Sequence, residues 1–111
     1  MEVIPDRGDI WWVALDPTLG SEIRKTRPCV VISVKVLNER RRTVIVVPLS
    51  SSAKASPPIL IPISCDGRPA VAVSDQIRAV AKGRLRSRLG VVSTDEMAAL
   101  EDGLRQIMQL G

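Results

Sequence analysis

Between two apolar runs of strand length lies Asp16–Pro28, DPTLGSEIRKTRP, a polar crossing that carries Glu22, Arg24, Lys25 and Arg27. Three basic side chains and one carboxylate within six residues suit recognition of a phosphate group, because a guanidinium presents a planar fork of donors to phosphate oxygens. The same composition also suits an ordinary solvated loop, since charge runs are usually solvated faces. The sequence contains no histidine. That removes the imidazole general acid and base, the Ser-His-Asp triad and the Cys-His pair. Cys29 and Cys65 stand far apart and the carboxylates are dispersed, so the residues do not argue for a metal cage. Catalysis in such a chain must run on Arg, Lys, Ser, Thr and carboxylates. This set suits cleavage of RNA by the substrate's own ribose 2′-hydroxyl, where the protein supplies transition-state charge and proton transfers but no nucleophile. DNA, lacking that hydroxyl, would be inert.

The elements that hold the loop can be read from residue type. Asp9–Leu15, DIWWVAL, is rich in β-branched and aromatic residues, and Cys29–Ser33, CVVIS, is a short continuous apolar run. Trp11 and Trp12 are consecutive on the first strand and are expected to point to opposite faces, one to the core and the other free to stack on a base or pack a partner, unless a bulge turns both into the core. A basic turn, Asn38–Arg42, joins Cys29–Val36 to Thr43–Leu49, and the two runs read as an antiparallel pair. Pro48 cannot donate to a ladder, so the second run is expected to end there or to place Pro48 on an edge. Ser50–Pro58 is a loop by composition, and Ile59–Ser64 and Ala70–Ser74 are short strands split by Cys65–Pro69, whose Asp66–Gly67 dipeptide favours a tight hairpin. Lys82–Arg88, KGRLRSR, is the densest basic stretch and reads as a solvated turn or short helix, with Val91 and Val92 as a last short strand. Ser93 with Glu96 three residues on is a capping-box pattern. Met97, Leu100, Leu104, Ile107 and Met108 then recur at helical spacing, giving one apolar face for core or dimer packing. Five or six short strands and one helix predict a small barrel.

A length of 111 residues reads as one domain, 1–111, able to bury a core without staples. No apolar run approaches the roughly 20 residues of a membrane span, and Met1–Gly8 lacks the apolar stretch of a signal peptide, so the cytosol is the expected compartment. Cys29 and Cys65 are expected there as reduced thiols. The net charge of +4 conceals an asymmetry: residues 1–93 hold 15 basic and 8 acidic groups. Such a body favours a polyanion.

Arg7-Gly8-Asp9-Ile10-Trp11, Leu15-Asp16-Pro17, Gly20-Ser21-Glu22, Thr26-Arg27-Pro28, Val47-Pro48-Leu49-Ser50-Ser51 and Asp75-Gln76-Ile77-Arg78, in that order and at these intervals, resemble the MazF/PemK family of toxin endoribonucleases. The resemblance covers nearly the whole chain. It implies a mainly β, small SH3-like barrel of the MazF/CcdB kind with a C-terminal α-helix, acting as a homodimer on single-stranded RNA. It also implies cleavage without metal or other cofactor, giving a 2′,3′-cyclic phosphate and a 5′-hydroxyl, and inhibition by a cognate antitoxin with an acidic tail. No membrane partner is implied.

Carried over by position, the family's catalytic arginine falls on Arg27 and its hydroxyl partner, often threonine, on Ser50. Glu22 takes a supporting role as base or as orienter of Arg27. Serine keeps the oxygen but loses the methyl group that stiffens threonine. Arg24, Lys25, Ser51, Asp75, Gln76, Arg78, Lys82 and Arg84 are the expected RNA contacts. Some members use an acid with an arginine two residues before it, and a histidine in the loop. Here Asp75 matches the acid, but Val73 and Ser21 stand at the other two positions, which favours the Arg27 and Ser50 arrangement. Two rivals remain from the sequence: a CcdB-like gyrase-binding toxin and a non-catalytic RNA-binding barrel.

Overall fold

Successive residues of a strand point to opposite faces, and in this chain both faces of the central strands are apolar, so the sheet must be covered on both sides. The computed structural model describes residues 3–15 and 25–111. Among these, seven strands form one sheet: β1 Asp9–Ala14, β2 Thr26–Val31, β3 Thr43–Ser50, β4 Leu60–Cys65, β5 Arg68–Val73, β6 Arg78–Ala81 and β7 Leu85–Val91. Two helices accompany them, α1 Lys35–Arg40 and α2 Thr94–Met108. The spatial order is β4-β5-β3-β2-β1-β7, with β6 also paired to β3, and the described pairings are antiparallel. The sheet curls into a half-barrel with α2 packed on it, as expected of a mainly β fold ending in a helix.

Strand β3 organises the sheet. One edge pairs with β2, from Cys29 opposite Pro48 to Val31 opposite Val46. The other edge is shared: Thr43–Val46 pair with β6, and Leu49 and Ser50 pair with β5. Pro48 falls in the gap between those two partners. The strand therefore continues through a fully buried proline, because the missing N–H is tolerated where the ladder on that edge is already interrupted. The expected strand end or edge position at Pro48 is thereby corrected.

Alternation sorts the core. Ile10, Val30, Val47 and Leu49 join Ile61, Ile63, Met97, Leu100 and Leu104 in the cluster beneath α2. Trp11, Val13, Cys29, Val31, Val44, Val46 and Val80 fill the other face. The two tryptophans divide as alternation requires: Trp11 is buried at 7% exposure, whereas Trp12 is 36% exposed. Burial, partly opposed by the charge of Arg78, pushes the Cys29 thiol up to about 12, so Cys29 is a packed, protonated group. The Arg7-Gly8-Asp9 triplet is scaffold. Arg7 pairs with Glu101 on α2, while the buried Asp9 carboxylate accepts from the Trp11 indole at 3.2 Å and pairs with Arg88 at 3.2 Å.

Three local expectations are corrected. The stretch read as a turn at Asn38–Arg42 is largely the helix α1. It has no side-chain cap at Val34, and Asn38 ties it down by donating to Pro5 O at 2.8 Å and Ser33 O at 3.0 Å. Lys82–Arg88 is split into a 3-10 turn, Lys82–Arg84, and the start of β7, which continues to Val91 in place of a short Val91–Val92 strand. The cations of this stretch are tethered: Lys82 donates to Asn38 O, Arg84 to Ala14 O and Arg86 to Gly83 O. The apolar face of α2 is also narrower than the spacing implies, since Met108 is exposed.

The capping box of α2 forms and also reaches into the sheet. Ser93 Oγ accepts from Glu96 N at 3.1 Å, and Glu96 accepts from Ser93 N at 2.9 Å and from Ser64 N on β4 at 2.6 Å. Burial alone would raise the Glu96 carboxyl, but the hydrogen bonds from Ser93 and Ser64 outweigh it and its pKa is lowered. A carboxyl lowered on folding stabilises the protein above the unfolded carboxyl range and loses that contribution as pH falls through the folded value. Glu96→Gln should therefore be less stable than the parent at pH 7, with the difference shrinking in acid, as read by urea denaturation across pH. Gly103 lies where α2 passes against the Pro58 carbonyl and Ile61 of β4: an added Cβ would sit 2.7 Å from the Pro58 oxygen and 3.1 Å from the Ile61 side chain. An alanine in a helix normally gains up to about 1 kcal/mol over glycine, but overpacking against fixed backbone costs about 1–3 kcal/mol. Gly103→Ala should accordingly lower unfolding free energy by about 1–2 kcal/mol in the same assay.

Candidate functional site

The pairing of β2 with β3 brings together two residues 23 positions apart in the chain, Arg27 and Ser50. Cys29 is opposite Pro48, and continuing that register by two residues sets Arg27 level with Ser50. Both line one groove with a cavity of about 450 Å³, together with Trp12, Ser51, Asp66 and Arg68. That volume lies within the range of ligand-binding clefts. Leu49, Ala70 and Leu89 supply an apolar lining, so a bound anion would meet cations beside low-dielectric walls that strengthen them.

Each polar member is positioned by a definite element. Arg27 is exposed near the start of β2, where the backbone is held by the pairing of Val13 with Arg27. Just before it, Lys25 adopts a left-handed φ of 68° and its carbonyl accepts from Leu15 N at 2.9 Å, closing the described ends of the β1–β2 connection. Ser50 ends β3. Its Oγ accepts from Ser52 N and Ala53 N, both at 3.3 Å, and lies 3.3 Å from Ser52 Oγ. The backbone donors occupy acceptor directions of the hydroxyl and so leave its proton to be directed at a ligand or at Ser52. The β4–β5 hairpin forms the far wall: Asp66 and Gly67 turn with φ of 53° and 75°, the left-handed pair that a two-residue hairpin of type I′ requires. Burial and the Asp66 carboxylate raise the Cys65 thiol, which also borders the groove.

Of the residues singled out from the sequence, the structure gathers Arg27, Ser50 and Ser51 in this groove. Glu22 and Arg24 lie outside the described residues. Lys25 is exposed at the edge of the described segment. Asp75 and Gln76 sit in a 3-10 turn after β5, and Arg78 is half-buried on β6 opposite Val46; these three do not line the groove. Lys82 borders a second cavity, of about 280 Å³, with Trp11, Leu85 and Arg86, and Arg84 donates to Ala14 O at 3.1 Å. Sequence reasoning missed Arg68 and Asp66 as groove residues. The Asp-Gly turn signal identified their hairpin but not the wall it forms, which depends on β5 pairing with the end of β3.

The arrangement provides a guanidinium, an oriented hydroxyl, an exposed aromatic ring and a second guanidinium in one open cleft. Such a set can bind a phosphodiester, stabilise extra negative charge on it and stack a base.

Residues 6–108 match the family of PemK-like, MazF-like toxins of type II toxin–antitoxin systems. The chain is 33% identical over 99 residues to the endoribonuclease toxin MazF of Escherichia coli strain K12, an alignment spanning 88% of each chain. It is 37% identical over 113 residues to the endoribonuclease MazF9 of Mycobacterium tuberculosis, covering 94% of this chain and 96% of the relative. Among solved structures, MazF from Deinococcus radiodurans superposes with a TM-score of 0.88 at 24% identity, covering 97% of this chain and 99% of the other. An endoribonuclease solved with its cognate antitoxin, from a mycobacterial species, superposes at 0.79 and 21% identity over 96% and 97% of the two chains. These likenesses show the shared half-barrel. With a family match that runs from before β1 to the end of α2 and takes in the strands that carry Arg27 and Ser50, the chain belongs to the PemK-like, MazF-like toxins of type II toxin–antitoxin systems.

Proposed function

We propose that this toxin is a sequence-selective endoribonuclease that cuts single-stranded RNA without a metal ion. The carrying observation is the β2–β3 register that sets Arg27 level with Ser50 in one groove. The relatives named endoribonucleases support the reaction class. In the reaction, the ribose 2′-oxygen forms a bond to the adjacent phosphorus as the bond from phosphorus to the 5′-oxygen breaks. The proton leaves the 2′-hydroxyl and a proton reaches the departing oxygen, giving a 2′,3′-cyclic phosphate and a 5′-hydroxyl. Arg27 stabilises charge on the pentavalent phosphate. A guanidinium holds its proton too firmly to act as a base, so its role is electrostatic, with proton donation to the leaving oxygen as the second part. Ser50 donates its hydroxyl proton to a phosphate oxygen, and Glu22 is assigned to the 2′ proton or to orienting Arg27.

Ser51, Arg24, Lys25 and the Asp75–Arg78 segment are assigned to RNA contacts. Lys82, beside the second cavity, and Arg84 are assigned to the outer path of the strand. The toxin works as a cytoplasmic homodimer held inactive by an antitoxin whose acidic tail complements the basic body, as a neighbouring structure with its cognate antitoxin suggests by analogy.

Incubation of the protein with a long single-stranded RNA in excess EDTA should yield site-selective cuts ending in 5′-hydroxyls. Arg27→Ala should slow single-turnover cutting by at least about 10²-fold, in line with removal of one transition-state donor. Ser50→Thr should retain activity. Intact RNA from the folded parent protein would refute this reading and direct the next assay to gyrase supercoiling.

A further inference from the structure

We propose that Arg68, on the hairpin wall of the groove, is a second phosphate clamp that grips the RNA backbone at the phosphate next to the one Arg27 faces. This rests on the reading of the groove as an RNA site. Arg68 lines the same cavity as Arg27 and Ser50 yet comes from a different part of the sheet. Ser50 pairs with Val71 on β5, and Arg68 is three residues further along that strand, roughly 10 Å at the rise of an extended chain. That offset is too large for the two arginines to duplicate one another, and it places Arg68 further along a strand lying in the groove.

The guanidinium is available. Among the described residues Arg7, Arg84, Arg86 and Arg88 each donate to a carboxylate or carbonyl of the protein. Arg68 makes no such contact with a described residue, although the carboxylate of Asp66 borders the same groove. Its backbone, by contrast, is fixed. Arg68 pairs with Cys65 across the turn, and Ser64 next to it donates to Glu96 at 2.6 Å, so the hairpin is fastened to the capped start of α2. A rigid backbone that presents a fork of donors with no partner among the described residues, in a groove that Arg27 also lines, is the arrangement that bidentate phosphate recognition uses. The role is positional: Arg68 binds the strand equally before and during the reaction, so its loss falls on binding more than on the chemical step.

The test measures binding of a short mixed-sequence single-stranded RNA in EDTA, in an Arg27→Ala background to prevent cutting, as salt rises from about 50 to 200 mM. Adding Arg68→Ala should weaken binding about tenfold and reduce the steepness of the log–log salt dependence by about 0.7, one single-strand phosphate contact. Arg68→Lys should restore the salt dependence but only part of the affinity, because an ammonium keeps the charge and loses the fork. With Arg27 intact, Arg68→Ala should raise KM by about tenfold and leave kcat within about threefold. Unchanged affinity and salt dependence in folded Arg68→Ala would overturn the clamp while leaving the cleavage reading intact. RNA that is bound in an Arg68-dependent way but never cut by the parent protein would overturn cleavage and support the clamp.

Discussion

Everything in this molecule depends on the backbone pairing of β3 with three neighbours. The strand holds β2 along one edge and divides the other between β6 and β5, with Pro48 at the division. Its side chains anchor both halves of the core, Val44 and Val46 on one face and Val47 and Leu49 on the other. The same strand ends at Ser50, so the geometry of the groove is set by the most constrained part of the fold. Functional groups at the ends of well-packed strands inherit that precision, which catalysis by oriented charge and hydrogen bonding requires.

The second constraint is the capped start of α2. Glu96 accepts from the helix N-terminus and from β4, binding the helix that covers one core to the hairpin that walls the groove. The acidic C-terminal segment is thereby fastened to the basic body. Arg7 with Glu101 adds a further link between the segment before β1 and α2. On the other side of the sheet Lys82, Arg84 and Arg86 donate to backbone carbonyls, which fixes where these cations sit.

Much of this was legible in the residues. The alternation of Trp11 and Trp12, the Asp66–Gly67 turn and the Ser93–Glu96 box are local signals, and each is met in the structure. Helix α1 was hidden because six residues are too few to show a period and Val34 offers no cap; the helix exists because the buried Asn38 amide is bonded to Pro5 and Ser33. Strand β7 was hidden because it is polar on its exposed side, and a run such as KGRLRSR looks like a solvated turn until its pairing with β1 is known. Within the site, Arg27 and Ser50 could be picked out through motif order. Arg68 could not, since its placement follows from β5 pairing with the end of β3, a contact that no local pattern encodes.

If the register of β2 on β3 makes Arg27 and Ser50 a single catalytic unit, their effects on cutting cannot be independent. The most direct measurement is a double-mutant cycle on single-turnover cleavage of RNA, comparing Arg27→Ala, Ser50→Ala and the double variant. Residues that act as a unit are strongly non-additive, so the double variant should be scarcely slower than Arg27→Ala alone. Losses that simply multiply in the double variant would contradict the account, leaving two side chains that share a groove but not a task.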